Sequence, residues 1–145
     1  MRTLSGFERQ LCDIQGRLFV HSLTKKLDSV DFIEKFMNSE SCQFFDLSYD
    51  RLQWAGEEYI LENLLEEVSV KQYGETYYKE ELFWIGYVYR YWHLLTGESS
   101  KEIYAQATAR KMKDCYLGFH TMDPIMAIED LKEIHRQEKV FTSNH

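Results

Sequence analysis

Apolar residues recur every three or four positions along almost the whole chain, the period of a helix that buries one side. Leu4, Phe7, Leu11, Ile14 and Leu18 trace one such stripe and predict a helix over about 4–23. Gly16 within it marks either a weak point or a close approach by another backbone. Asp28 and Ser29 can cap a second helix, whose face is Phe32, Ile33, Phe36 and Met37. A short helical turn is expected through Cys42, Phe44 and Phe45. Residues 46–50 read as a connector, with Ser48 or Asp50 available as a cap. A third long helix is predicted over about 51–68. Trp54, Leu61, Leu65 and Val68 form its stripe, Ile60 and Leu64 widen it, and Glu62 and Glu66 lie opposite.

The fourth long helix, about 79–96, breaks this pattern. Between Leu82 and Leu95 its only charged side chain is Arg90, and rings or aliphatic groups point in nearly every direction. A helix apolar all round is buried all round, which places this one at the centre. Gly97 can end it. Ser99 and Glu102 form a capping-box pattern for a short helix to about 107. Thr108 can cap a further helix to about 117 or 118. Asp123 followed by Pro124 opens a last one with Ile125, Ile128 and Leu131 on its face. No alternating run long enough for a strand occurs. The expected fold is all-α: a compact single-domain bundle of six or seven helices around residues 79–96. The domain covers 1–138, and 139–145 form a frayed polar tail.

Composition agrees with this and narrows the partners. With 145 residues, only 7 Gly and 1 Pro, the chain is long enough to bury a core without a metal or disulfide. The net charge of -7 argues against free nucleic acid and anionic membranes, since both draw affinity from Lys and Arg. No apolar run approaches the ~20 residues of a membrane span, and the charged start of the chain does not resemble a signal peptide. A cytoplasmic protein is expected. Cys12, Cys42 and Cys115 are scattered, without a CxxC pair, and read as small core residues. The surplus charge is local: residues 40–81 hold 11 acidic and 3 basic side chains, while the flanking segments nearly balance. That segment is either a solvated face or a docking face for a basic protein.

Arg90 is the most informative single residue. A guanidinium on an apolar helix cannot shed its charge and needs a partner. Glu57, Glu58 and Glu62 are the carboxylates expected to supply it. The alternative is that Arg90 lines a pocket, with Tyr89, Trp92, His93 and Tyr104 around it, for an anion or nucleotide. Arg90 and His93 are closer together than the Arg and His of the helical ribonucleases known as HEPN, so that pattern is not met. The glutamates on successive turns lack the Glu-x-x-His partners of a di-metal bundle, and no metal or cofactor is expected. Arg110, Lys111 and Lys113 form a small basic cluster that reads as a solvated helix end. No Ser/His/Asp order, phosphate loop, HExxH or catalytic Cys signature occurs. Enzyme activity stays undecided, leaning against.

Four stretches carry a resemblance: Asp13–Phe19, Tyr49–Tyr59, Gly86–His93 with Thr96–Ser100, and Cys115–Thr121. They resemble an uncharacterised family of small acidic bacterial proteins found in toxin–antitoxin-like clusters, beside a protein similar to ADP-ribosyltransferase toxins. The resemblance implies an antitoxin-like or accessory role: binding a protein partner, such as a basic toxin enzyme, through an acidic helical face. Trp54, Glu57, Glu58, Glu62 and Arg90 are the expected contact residues. The alternative is a small-molecule or nucleotide binder with its pocket around Arg90 and His93. Homo-oligomerisation stays open.

Overall fold

The computed structural model describes residues 3–47 and 49–143, with side chains for all of these except 49–55, 142 and 143. The chain is all-α. Its helices are α1 (Gly6–His21), α2 (Ser29–Met37), α3 (Glu40–Leu47), α4 (Tyr49–Glu67), α5 (Lys79–Thr96), α6 (Ser100–Gln106), α7 (Ala109–Phe119) and α8 (Pro124–Ser143). A 3-10 turn at Ser22–Lys25 follows α1. Eight α-helices stand among the described residues instead of six or seven, because 40–47 forms a full helix where a single turn was expected. α8 runs on to Ser143, into the stretch expected to fray.

The helix ends follow local chemistry. The side chains of Asp28, Ser99 and Thr108 accept from backbone N–H groups of α2, α6 and α7, as their positions predict. Asp123 Oδ1 accepts from Ile125 N at 2.9 Å at the start of α8. One end escaped the sequence reading: Ser5 and Glu8 form a complete capping box on α1.

α5 is the hub. It packs along α1 most extensively and also meets α6, α7 and α8, while α4 lies outside on α1 and α3. The core is ring-rich, as expected. Phe19 meets Phe32 and Phe36 edge-on at 5.3 and 5.6 Å between centroids, and Tyr89 edge-on at 6.2 Å. The α1–α5 contact is close because two glycines permit it. A Cβ on Gly86 would sit 2.5 Å from the Gln15 carbonyl oxygen, and one on Gly16 would sit 2.8 Å from the Phe83 ring. The suspected close approach at Gly16 is therefore to a side chain, and the backbone approach is at Gly86.

Two expectations need correction here. The helix over 51–68 is not continuous: Gly56 has φ 81° and ψ 172°, outside helical space and open essentially to glycine alone. Residues 57–67 form the inward-packed part, with Ile60, Leu61 and Leu64 buried. Nor is α5 enclosed on every side. Phe83, Trp84 and Tyr87 are only half-buried, because α1 and α7 flank that side of the helix without closing over it.

Carboxylates clamp the connections between helices. Asp31 accepts from Lys71 N at 2.7 Å and Lys35 Nζ at 3.0 Å, which ties the 68–78 loop to α2. Glu67 accepts from Glu40 N, Ser41 N and Ser41 Oγ, holding the start of α3. Glu98 receives Trp92 Nε1, Gln106 Nε2 and Lys132 Nζ, which joins α5, α6 and α8. Burial works to raise all three carboxyls, but these donors outweigh it and hold each below its ordinary value. A carboxylate with a depressed folded value stabilises the fold above its unfolded pKa, and that contribution disappears as pH falls through the folded value. The contribution of these three carboxylates to the thermal unfolding midpoint should therefore be constant from pH 7 to about 5 and be lost below about pH 4. Glu67→Gln should lower the plateau and flatten part of the acid slope. A slope unchanged in Glu67→Gln would show that this clamp contributes nothing.

Candidate functional site

Arg90 lies at the buried junction of α1, α3, α5 and α6. The residue is 1% exposed. Nη1 donates to Asp46 Oδ1 at 2.7 Å, Nε donates to Gln15 Oε1 at 2.9 Å, and Nη2 reaches Cys42 Sγ at 3.7 Å. The guanidinium lies over the Phe45 ring, 4.1 Å from its centroid. Asp46 also accepts from Ser100 N at 2.9 Å and Ser100 Oγ at 2.8 Å, at the first residue of α6. Gln15 completes the chain by donating Nε2 to Gly86 O at 3.0 Å. The buried charge thus has a carboxylate, an amide oxygen and an aromatic face, which is what a desolvated guanidinium requires.

The expected partners of Arg90 are not the real ones. Glu57 instead meets Arg17 Nε at 3.1 Å on the surface, and Glu58 and Glu62 are exposed. The break at Gly56 and the inward facing of Ile60, Leu61 and Leu64 turn those glutamates outward. Asp46, read as part of a connector, belongs to α3. Cys42, Phe45 and Asp46 share one face of that helix, at the i, i+3, i+4 spacing that could have found it. As Arg90 is sealed, it is not available as a surface contact. The side chain of Trp54 lies outside the described residues.

The five residues expected around a pocket do cluster, but they pack as a wall. Tyr89 and Trp92 are fully buried, and Tyr104 nearly so. Tyr89 OH donates to Ala107 O at 2.6 Å. Trp92 Nε1 donates to Glu98 Oε1 at 3.2 Å. His93 Nδ1 is 2.6 Å from Glu98 O; a carbonyl only accepts, so Nδ1 carries the proton. Burial pushes the Cys12 and Cys42 thiols up to about 12, which leaves them protonated and inert.

Neither known protein families, nor curated proteins, nor solved structures give a match to this chain. The molecule's own surfaces carry the functional reading. Among the described residues no group of His, Cys, Asp or Glu is arranged to hold a metal ion. No helix among them is long and apolar enough to cross a membrane.

Two surface features stand out. The first is the outer face of α4. Glu58, Glu62 and Glu66 follow one another at four-residue spacing and are all exposed, with no ion pair among the described residues. Tyr59, 51% exposed, lies beside them. Tyr59 was missed in the sequence because nothing in its type separates an outward ring from a core ring. The second is a hollow of about 620 Å³ over α5, with Phe83, Trp84 and Tyr87 on its floor and Tyr116 of α7 and His120, just past the end of α7, beside them. Trp84 meets Tyr116 edge-on at 5.8 Å, and Tyr116 stacks on His120 at 4.3 Å. The rule that an all-apolar helix is buried hid this flank, since it treats every ring on α5 as core.

Proposed function

We propose that this chain is a protein-binding module of antitoxin or accessory type, acting in the cytoplasm from a bacterial toxin–antitoxin-like or defence locus. The observation that carries the binding reading is the row of exposed carboxylates at Glu58, Glu62 and Glu66, without an ion pair among the described residues, beside the half-exposed ring of Tyr59. Charge left unneutralised on one face raises the encounter rate with an oppositely charged surface and selects against acidic partners. Tyr59 supplies an aromatic anchor of the kind that concentrates binding energy. The partner that fits is a basic protein, and the resemblance of the chain suggests an ADP-ribosyltransferase-like toxin encoded beside it. Burial of Arg90 favours this reading over the nucleotide-pocket alternative, which was centred on that guanidinium.

Co-expression with the neighbouring gene product should give a complex that survives purification and should restore growth to cells carrying that product. The double variant Glu58→Lys, Glu62→Lys should keep its helical circular dichroism and lose about tenfold or more in affinity, equivalent to ~1.4 kcal/mol. Most of the loss should appear in the association rate at low salt. No complex, or a complex indifferent to this reversal, would refute the proposal.

A further inference from the structure

The open flank of α5 is a second surface, separate from α4. Three hollows lie side by side over the first half of α5. The central one is floored by Phe83, Trp84 and Tyr87. A hollow on the α1 side shares Val20, Lys79 and Phe83 with it and adds Arg17 and His21. A hollow on the α7 side shares Glu80 and Tyr116 and adds Asp114 and Leu117. Because they share residues, they form one trough, with a helix as its floor and a helix on each side.

Charge changes sign across this trough. Arg17, His21 and Lys79 lie on the α1 side. Arg17 stays half exposed while it holds Glu57, and exposed Lys79 makes no ion pair among the described residues. On the α7 side Glu80 and Asp114 are exposed, and the one lysine there, Lys113, is engaged by Glu81 at 3.6 Å. Leu117, 82% exposed, extends the apolar surface on that side.

We propose that the trough is a docking site for an amphipathic α-helix of a partner protein. Its apolar stripe faces Phe83, Trp84 and Tyr87, its acidic flank lies toward α1, and its basic flank lies toward α7. A groove between two helices over a third is where another helix packs ridge into groove. A helical floor offers no unpaired strand edge, so an extended peptide has no backbone to pair with. Small-molecule sites enclose most of their ligand, whereas this trough is open along its length and bipolar across its width. From Lys79 to Val88 the floor runs about 14 Å at ~1.5 Å per residue, room for two to three turns. The proposal does not depend on the acidic face of α4.

The test is selection of a displayed library of helix-forming peptides, about 16 residues or ~24 Å long, against the whole chain. Enriched sequences should share apolar residues at i, i+3, i+4 and i+7, with acids on one flank and bases on the other. One of them, synthesised, should shift the amide resonances of Phe83, Trp84, Tyr87 and Tyr116. Trp84→Ala should weaken it about tenfold or more, with Trp84→Phe recovering part of the loss as a control for folding. Lys79→Glu, at an exposed position, should weaken it several-fold at low salt, and Glu58→Lys, Glu62→Lys should leave it unchanged. The proposal is overturned if no helical pattern is enriched, if the shifts fall elsewhere, or if neither Trp84→Ala nor Lys79→Glu changes the affinity.

Discussion

Asp46→Ala should lower the unfolding free energy by about 3–5 kcal/mol, the cost of breaking a buried ion pair from one side. The substitution removes the acceptor of Arg90 Nη1 and of both donors on Ser100. Arg90 cannot neutralise itself by losing its proton, and at 1% exposure it cannot reach water. It keeps the Gln15 amide, the Cys42 sulfur and the face of the Phe45 ring, but no counter-charge. Against a total stability of roughly 5–15 kcal/mol for a natural domain, this is a large share. Asp46→Asn keeps the shape and one oxygen and should cost less. Arg90→Met alone leaves a carboxylate that still has Ser100, so Asp46→Leu with Arg90→Met should be more stable than Asp46→Ala, although it removes more polar groups. Urea unfolding followed by tryptophan fluorescence, with an unchanged m-value, measures these differences. A loss below about 1 kcal/mol in Asp46→Ala would place the pair among those that contribute as little as surface bridges do.

Gly86→Ala is the second large effect, and its sign has to be worked out. Alanine in mid-helix gains about 1 kcal/mol over glycine from propensity. Here the new Cβ would lie 2.5 Å from the Gln15 carbonyl oxygen and 2.9 Å from Phe19 Cγ. α1 cannot step back without stretching the Gln15 bridge to Gly86 and Arg90 and shifting Phe19 off Phe32 and Phe36. Overpacking of this kind costs about 1–3 kcal/mol, occasionally more, and with a backbone atom as the obstacle the upper end applies. The net expectation is a loss of about 2 kcal/mol. Gly16→Ala supplies the contrast. Its Cβ meets the ring of Phe83, which borders the open trough and can swing aside, so the propensity gain should bring that variant to within about 0.5 kcal/mol of the natural chain. Equal losses for the two substitutions would mean that Phe83 is as fixed as backbone.

The helices were legible because each carries its own signal. Asp28, Ser99, Thr108 and Asp123 cap the helices they were expected to cap, and the three- and four-residue stripes bury most of the residues they named, although Phe7 is 37% exposed at the first turn of α1. What could not be read was which helix meets which. Asp46 lies 44 residues from Arg90 in sequence; its spacing with Cys42 and Phe45 marks an inward face of α3, but nothing local says that this face meets Arg90. The kink at Gly56 was hidden for a related reason: a lone glycine in a helical pattern is tolerated more often than it breaks the helix. Glu58 and Glu62 do face outward, whereas Arg90, grouped with them, is sealed inside.

The chain by itself determines that it is helical, where most of its helices begin and end, and that its surplus acidity sits in one segment. These follow from short-range physics, since caps, periodicity and charge density are properties of neighbours in sequence. Only the tertiary structure decides that Arg90 belongs to Asp46, that Gly86 is the point of closest approach to α1, and that one flank of the most apolar helix stays open between α1 and α7. Those outcomes depend on how rigid cylinders of unequal length cover one another. A sequence specifies the side chains on each cylinder, but burial of a given ring is fixed by whether a neighbour reaches over it.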